Sequence, residues 1–86
     1  MVKGTVKITC PAGLHMRPVG ILCKHAAEYK SLIECHDQSS AVNVKSVLSV
    51  LGACIRSGEE VELVCTGPDE KEAFDYLSDL IEHHLE

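Results

Sequence analysis

Gly13-Leu14-His15-Met16-Arg17-Pro18 forms a turn that carries one histidine and one arginine straight into a helix. Behind it, apolar residues fall at Val19, Leu22, Cys23 and Ala26, the i, i+3, i+4, i+7 spacing that gives a helix one buried face. Pro18 suits a first turn, where its missing N–H is no loss, and the residue before a proline is pushed away from helical geometry. The helix is therefore predicted to start between His15 and Pro18 and to run to about Tyr29, with Lys24, His25 and Glu28 on its wet side. Free N–H groups and the positive end of the dipole gather at such a start, which makes it a seat for an anion. Gly13 gives the turn backbone angles closed to other residues.

An imidazole at that place is a candidate phosphate carrier. Only a neutral ring offers a lone pair to phosphorus, and a helix start favours the neutral form. A phosphoryl group on the ring could accept hydrogen bonds from the open amides, with Arg17 supplying charge to its oxygens. Chemistry alone leaves a second reading open, a surface histidine beside a helix cap.

Upstream, Val2, Gly4, Val6 and Ile8 alternate with Lys3, Thr5 and Lys7, a strand with one wet face that Cys10-Pro11-Ala12-Gly13 breaks. Downstream, residues 31–36 read as a short strand. Asp37-Gln38-Ser39-Ser40 is a turn cluster, and a second strand ends near Val44, which makes a hairpin. Ser46 stands ahead of Val47-Leu48-Ser49-Val50-Leu51 as a cap, with Gly52 as the stop of a short helix. So short an apolar helix cannot bury every side. Some of Val47, Leu48 and Leu51 should stay exposed as a partner-binding patch, while Val50 packs inward.

Ser57-Gly58 turns the chain into a strand in which Val61, Leu63 and Cys65 alternate with Glu60, Glu62 and Val64, and Gly67-Pro68 ends it. Asp69 and Glu72 resemble a capping box for a last helix with an apolar stripe of Ala73, Leu77, Leu80, Ile81 and Leu85. The order is β-α-β-β-α-β-α, which predicts an α+β open-faced β-sandwich, a four-stranded antiparallel sheet covered on one face by three helices. The 86 residues are expected to form a single domain, 1–86, without linker or repeat. His83-His84-Leu85-Glu86 reads either as native sequence or as an added tail.

The formal charge of −5 disfavours DNA, RNA and anionic membranes as partners. With one Phe, two Tyr and no Trp, there is no stacking platform for single-stranded nucleic acid. Acids concentrate in Glu59-Glu60, Glu62 and residues 69–72, whereas Arg17, Lys24 and Lys45 imply one basic face. No stretch resembles a signal peptide or a membrane span, so a cytoplasmic location is expected. Five cysteines, Cys10, Cys23, Cys35, Cys54 and Cys65, are an odd number without a C-x-x-C pair. They indicate buried thiols rather than disulfides or a zinc site. Cys54, just past the second helix, is the one placed for redox chemistry. His25 and His36 read as exposed polar positions.

Gly-Leu-His-Met-Arg-Pro resembles the active-site signature of the histidine-containing phosphocarrier protein, HPr, of the bacterial sugar phosphotransferase system. Asn43-Val44-Lys45-Ser46-Val47-Leu48 resembles that family's second signature, and the spacing of the two extends the match over the whole chain. The resemblance implies a stoichiometric phosphocarrier rather than an enzyme, needing no metal or cofactor. It would take a phosphoryl group from phospho-Enzyme I onto Nδ1 of His15, with help from Arg17, and pass it to IIA components of sugar permeases. It further implies a docking face built from Met16, Arg17, Gly20, Lys24, Lys45, Val47, Leu48 and Leu51, and a monomer. Ser46 matches the residue that a regulatory kinase, HPr kinase/phosphorylase, modifies in many Gram-positive relatives, and the resemblance adds a transcriptional regulator to the expected partners.

The sequence departs from the family pattern at Val19, where alanine is common, at Leu48 and Leu51, where methionine is frequent, and at Ser49, where glycine or lysine often stands. These are docking positions, so a paralogue serving nitrogen control or gene regulation stays open. A ferredoxin-like metal-binding module shares part of the element order, but it expects paired cysteines in the first loop, where Cys10 stands alone.

Overall fold

In the four-stranded sheet, alternation along each strand and the register between strands bring the apolar residues onto one face. A computed structural model describes residues 1–11, 13–38 and 40–85. The elements are β1 (Val2–Lys7), α1 (Met16–Ala26), β2 (Leu32–His36), β3 (Ala41–Asn43), α2 (Val47–Gly52), β4 (Glu60–Thr66) and α3 (Glu70–His83). The strands lie in the order β1-β4-β2-β3, and every pair is antiparallel. One inner row reads Gly4, Leu63, Cys35, Val42 across the sheet, and the next reads Val2, Cys65, Ile33. A slip of one residue in any strand would turn its apolar set outward.

α3 lies against β1 and β4, α2 lies against β3, and α1 packs on both other helices. This is the α+β open-faced sandwich. Val19, Leu22 and Ala26 of α1 and Ala73, Leu77 and Ile81 of α3 are sealed in the common core with Ile33, Leu63 and Val50. Each fully buried Leu or Ile contributes about 1.5–3 kcal/mol by leaving water. Leu85 is buried as well, so the chain after α3 still belongs to the core; Glu86 lies outside the described residues.

Several local details differ from the sequence reading. α1 ends at Ala26 rather than near Tyr29, because the next amides turn back tightly, Glu28 to the His25 carbonyl at 3.1 Å and Tyr29 to the Ala26 carbonyl at 3.2 Å. Gly52 is the last residue of α2, not its stop; Ala53 caps the helix, and Cys54 takes the left-handed turn at φ 53. Asp69 precedes α3 but makes no side-chain cap bond, since its carboxylate reaches the backbone before β2 instead. Val64 is buried although it alternates onto the wet face, where it sits in register between Lys3 and Glu34 in an interior strand. The stems of such charged side chains can cover apolar surface. Phe74, absent from the predicted stripe of α3, fills the space over Gly4. Ala12 and Ser39, both in predicted turns, lie outside the described residues.

Candidate functional site

His15 is positioned by the helix it caps. Its backbone is extended at φ −109 and ψ −169, its carbonyl accepts the Val19 amide at 3.0 Å, and its own amide donates to the Gly13 carbonyl at 3.1 Å. Pro18 has no N–H, so the amides of Met16 and Arg17 are the donors this helix end leaves open among the described residues. The imidazole is exposed, makes no capping bond, and has no hydrogen-bond partner among the described residues. Space and acceptor-hungry amides therefore meet at one exposed ring.

The turn before it is held from behind. Gly13 has φ 76, and a Cβ there would stand 2.8 Å from the Ile55 carbonyl oxygen and 2.9 Å from Arg56 Cα. The Leu14 amide donates to the same Ile55 carbonyl at 2.9 Å, and the Leu14 side chain is buried. The Cys10 thiol also donates to the Gly13 carbonyl, at 3.2 Å. Glycine is thus required twice over, for the backbone angle and for the close approach of the loop after α2.

Arg17, Gly20 and Lys24 are exposed along α1, and Met16 is 69% exposed. Met16, Gly20 and Lys24 recur every four residues and so share one face of the helix with His15 at its head. On α2, which packs beside α1, Leu48 is 82% and Val47 39% exposed, while Leu51 is half-buried against the core. This six-residue helix thus leaves two large apolar side chains exposed.

Ser46 caps α2, its hydroxyl oxygen accepting the Ser49 amide at 3.3 Å. Lys45 is placed differently from the sequence reading. Its ammonium donates to the Tyr29 carbonyl at 2.6 Å, past the far end of α1, roughly 16 Å from His15 given the rise of an α-helix. It braces the exit of α1 rather than standing beside the imidazole at the other end of that helix. Arg56, which matches no motif, lies in the loop behind Gly13; only tertiary contact reveals it.

Cys10, Cys23, Cys35 and Cys65 are buried and Cys54 is exposed, and among the described residues none of the five is in a disulfide. Burial pushes the Cys35 thiol up to about 12 and Cys65 up to about 11, so both are protonated and inert. His25 and His36 are half-buried rather than simply exposed: His25 Nδ1 shares a hydrogen bond with the Tyr76 hydroxyl at 3.1 Å, and His36 Nε2 meets Glu34 at 3.1 Å. Among the described residues, no group of three or more His, Cys, Asp or Glu could hold a metal ion, and no helix is long and apolar enough to cross a membrane. A cavity of about 620 Å³ lies between Lys7, Asp37 and Glu59–Glu60 and includes none of the residues around His15.

Comparison with known proteins agrees with this geometry. Residues 2–83 match the family described as PTS HPr component phosphorylation site. The phosphocarrier protein HPr of Treponema pallidum is 34% identical over 86 residues, which cover 100% of this chain and 98% of that one. The HPr-like protein Crh of Halalkalibacterium halodurans is 32% identical over 82 residues, 95% of this chain and 98% of that one. The crystal structure of HPr-C-His from Thermoanaerobacter tengcongensis superposes with a TM-score of 0.91 at 34% identity, over 95% of this chain and 92% of that one. With its fold, its sequence and the exposed histidine at the head of α1 in agreement, the chain belongs to the HPr family of phosphocarrier proteins of the phosphotransferase system.

Proposed function

We propose that His15 is the phosphoryl carrier, loaded by phospho-Enzyme I and discharged to the IIA components of sugar permeases. The observation that carries this reading is the exposed, unbonded imidazole at the head of α1, beside the open amides of Met16 and Arg17. In loading, a lone pair on the ring nitrogen, Nδ1 in the family pattern, forms an N–P bond as the P–N bond to the donor's phosphohistidine breaks, and that electron pair returns to the donor's ring. Arg17 and the amides meet the charge on the three oxygens. Discharge is the same exchange onto the next histidine, so nothing is oxidised or consumed on this chain. His15→Ala should abolish phosphate acceptance from Enzyme I and phosphoenolpyruvate, read by intact mass; retained acceptance would refute the assignment.

Docking rests on the apolar residues Met16, Val47, Leu48 and Leu51 with Arg17, Gly20 and Lys24 around them, which suits acidic partners. The chain acts as a cytoplasmic monomer. On the side of the monomer, the amide of Lys7 at the end of edge strand β1 is covered by the Glu82 carboxylate at 3.1 Å.

A regulatory role through Ser46 is the second reading, favoured by the place of that serine at the head of α2, next to the exposed Val47 and Leu48. Phosphate on Ser46 would add about −1.5 to −2 charge beside the docking face and repel an acidic donor, while offering HPr kinase and a transcriptional regulator a distinct form to read. Incubation with such a kinase and ATP tests it, and a Ser46 without label removes the idea.

A further inference from the structure

The loop after α2 and the turn that presents His15 form one surface. A Cβ on Gly13 would stand 2.8 Å from the Ile55 carbonyl oxygen, 2.9 Å from Arg56 Cα and 3.0 Å from the Ser57 nitrogen. Arg56 therefore projects from backbone in contact with the residue two before the carrier histidine. That backbone is pinned. The Arg56 amide donates to the Glu59 carboxylate, and the Arg56 carbonyl accepts the Glu59 amide at 3.2 Å. The side chain is exposed, and its guanidinium has no ion pair or hydrogen bond among the described residues. Glu59, the carboxylate nearest in sequence, is already engaged with the amide. An exposed guanidinium without an ion pair among the described residues thus springs from backbone packed against the turn that presents His15, where a phosphoryl group on that ring would offer it a counter-charge.

We propose that Arg56 is a second phosphoryl-binding arginine, meeting the oxygens on His15 from the loop side while Arg17 meets them from the helix side. This rests on the phosphocarrier reading of His15. A guanidinium offers a planar fork of donors that matches phosphate oxygens, and charge placed where it develops in transfer speeds the step. Arg56 acts on the phosphoryl group rather than on the protein that brings it.

That distinction sets the test. Phosphoramidate is a small donor that needs no docking surface. The ring nitrogen's lone pair forms the N–P bond, the donor's P–N bond breaks, and its protonated nitrogen leaves as ammonia, the ring's remaining proton exchanging with water. The initial rate of His15 labelling is measured by intact mass and phosphorus NMR for wild type, Arg56→Gln and Arg56→Lys at low and high salt. All three keep the backbone amide that Glu59 holds, and melting curves verify the fold. Arg56→Gln should label about three- to tenfold more slowly at low salt, with the gap closing as salt screens the charge, and Arg56→Lys should recover most of the rate. Equal rates for Gln and wild type would overturn the proposal, as would a defect seen only with Enzyme I as donor, which assigns Arg56 to docking. A wild-type chain that phosphoramidate leaves unlabelled at His15 sinks the phosphocarrier reading itself, and does so before any variant is compared.

Discussion

Asp69 ties the start of α3 to the start of β2 through Ser31: its Oδ1 accepts the Ser31 hydroxyl at 2.5 Å and the Ser31 amide at 2.9 Å, while its Oδ2 accepts the Lys30 amide at 2.9 Å. Ser31 is buried, so the carboxylate satisfies polar groups that water does not reach. These bonds, the Ser31 hydroxyl first and the Lys30 amide next, hold the Asp69 carboxyl below its ordinary value of 3.8.

A carboxyl lowered by folding contributes stability that is complete above its unfolded value and is lost as pH falls through its folded one. The wild-type thermal midpoint should therefore drop on the acid side of 3.8, reinforced by Glu70, which the N-terminal ammonium and the Gly67 amide lower in the same direction. Asp69→Asn should melt several degrees lower at neutral pH, and its deficit should shrink as wild-type Asp69 protonates. A deficit that stays constant across an acid titration of both proteins would show that the ionised carboxylate is not its source.

Gly13→Ala places a methyl group against the Ile55 carbonyl and Arg56 Cα, at a φ of 76 that alanine disfavours. A strained residue of this kind costs about 1–3 kcal/mol. The expected result is a lower denaturation midpoint together with slower phosphoryl acceptance, because the same turn holds His15. Loss of stability with an unchanged acceptance rate would mean that the turn does not set the ring's position.

Leu48, 82% exposed, touches too little of its own protein to stabilise it. Leu48→Glu should change stability by no more than about 0.5 kcal/mol yet raise the KM for phospho-Enzyme I about tenfold, as expected when a charge replaces an apolar anchor of an interface. Chemical denaturation and steady-state acceptance kinetics on one sample read both. A large fall in stability would assign Leu48 to the core instead.

Features controlled by short-range pattern are legible in the amino-acid sequence. The start of α1 between His15 and Pro18, the Ser46 cap, the alternation of β1 and the inward Val50 all follow from residues within a turn or two of one another. What escapes such a reading depends on register between distant segments. Asp69 resembles a helix cap until β2 is brought beside it; Val64 reads as wet until Lys3 and Glu34 flank it; Lys45 reads as part of the basic rim until Tyr29 offers it a carbonyl. The same holds at the site. His15 and Arg17 are visible as a motif, but the loop that carries Arg56 lies against their turn only because a glycine without a side chain lets a segment more than forty residues away settle there.

Where the chain leaves α2, the left-handed turn sets the exposed thiol of Cys54 immediately before the Ile55 carbonyl that anchors Leu14, while the other four cysteines are sealed inside. One exposed thiol in five, next in the chain to the residue that holds the Leu14 amide, means that a maleimide dye would attach there alone without any engineering. Its brightness could then report, in real time, each arrival and departure of a partner at the neighbouring histidine.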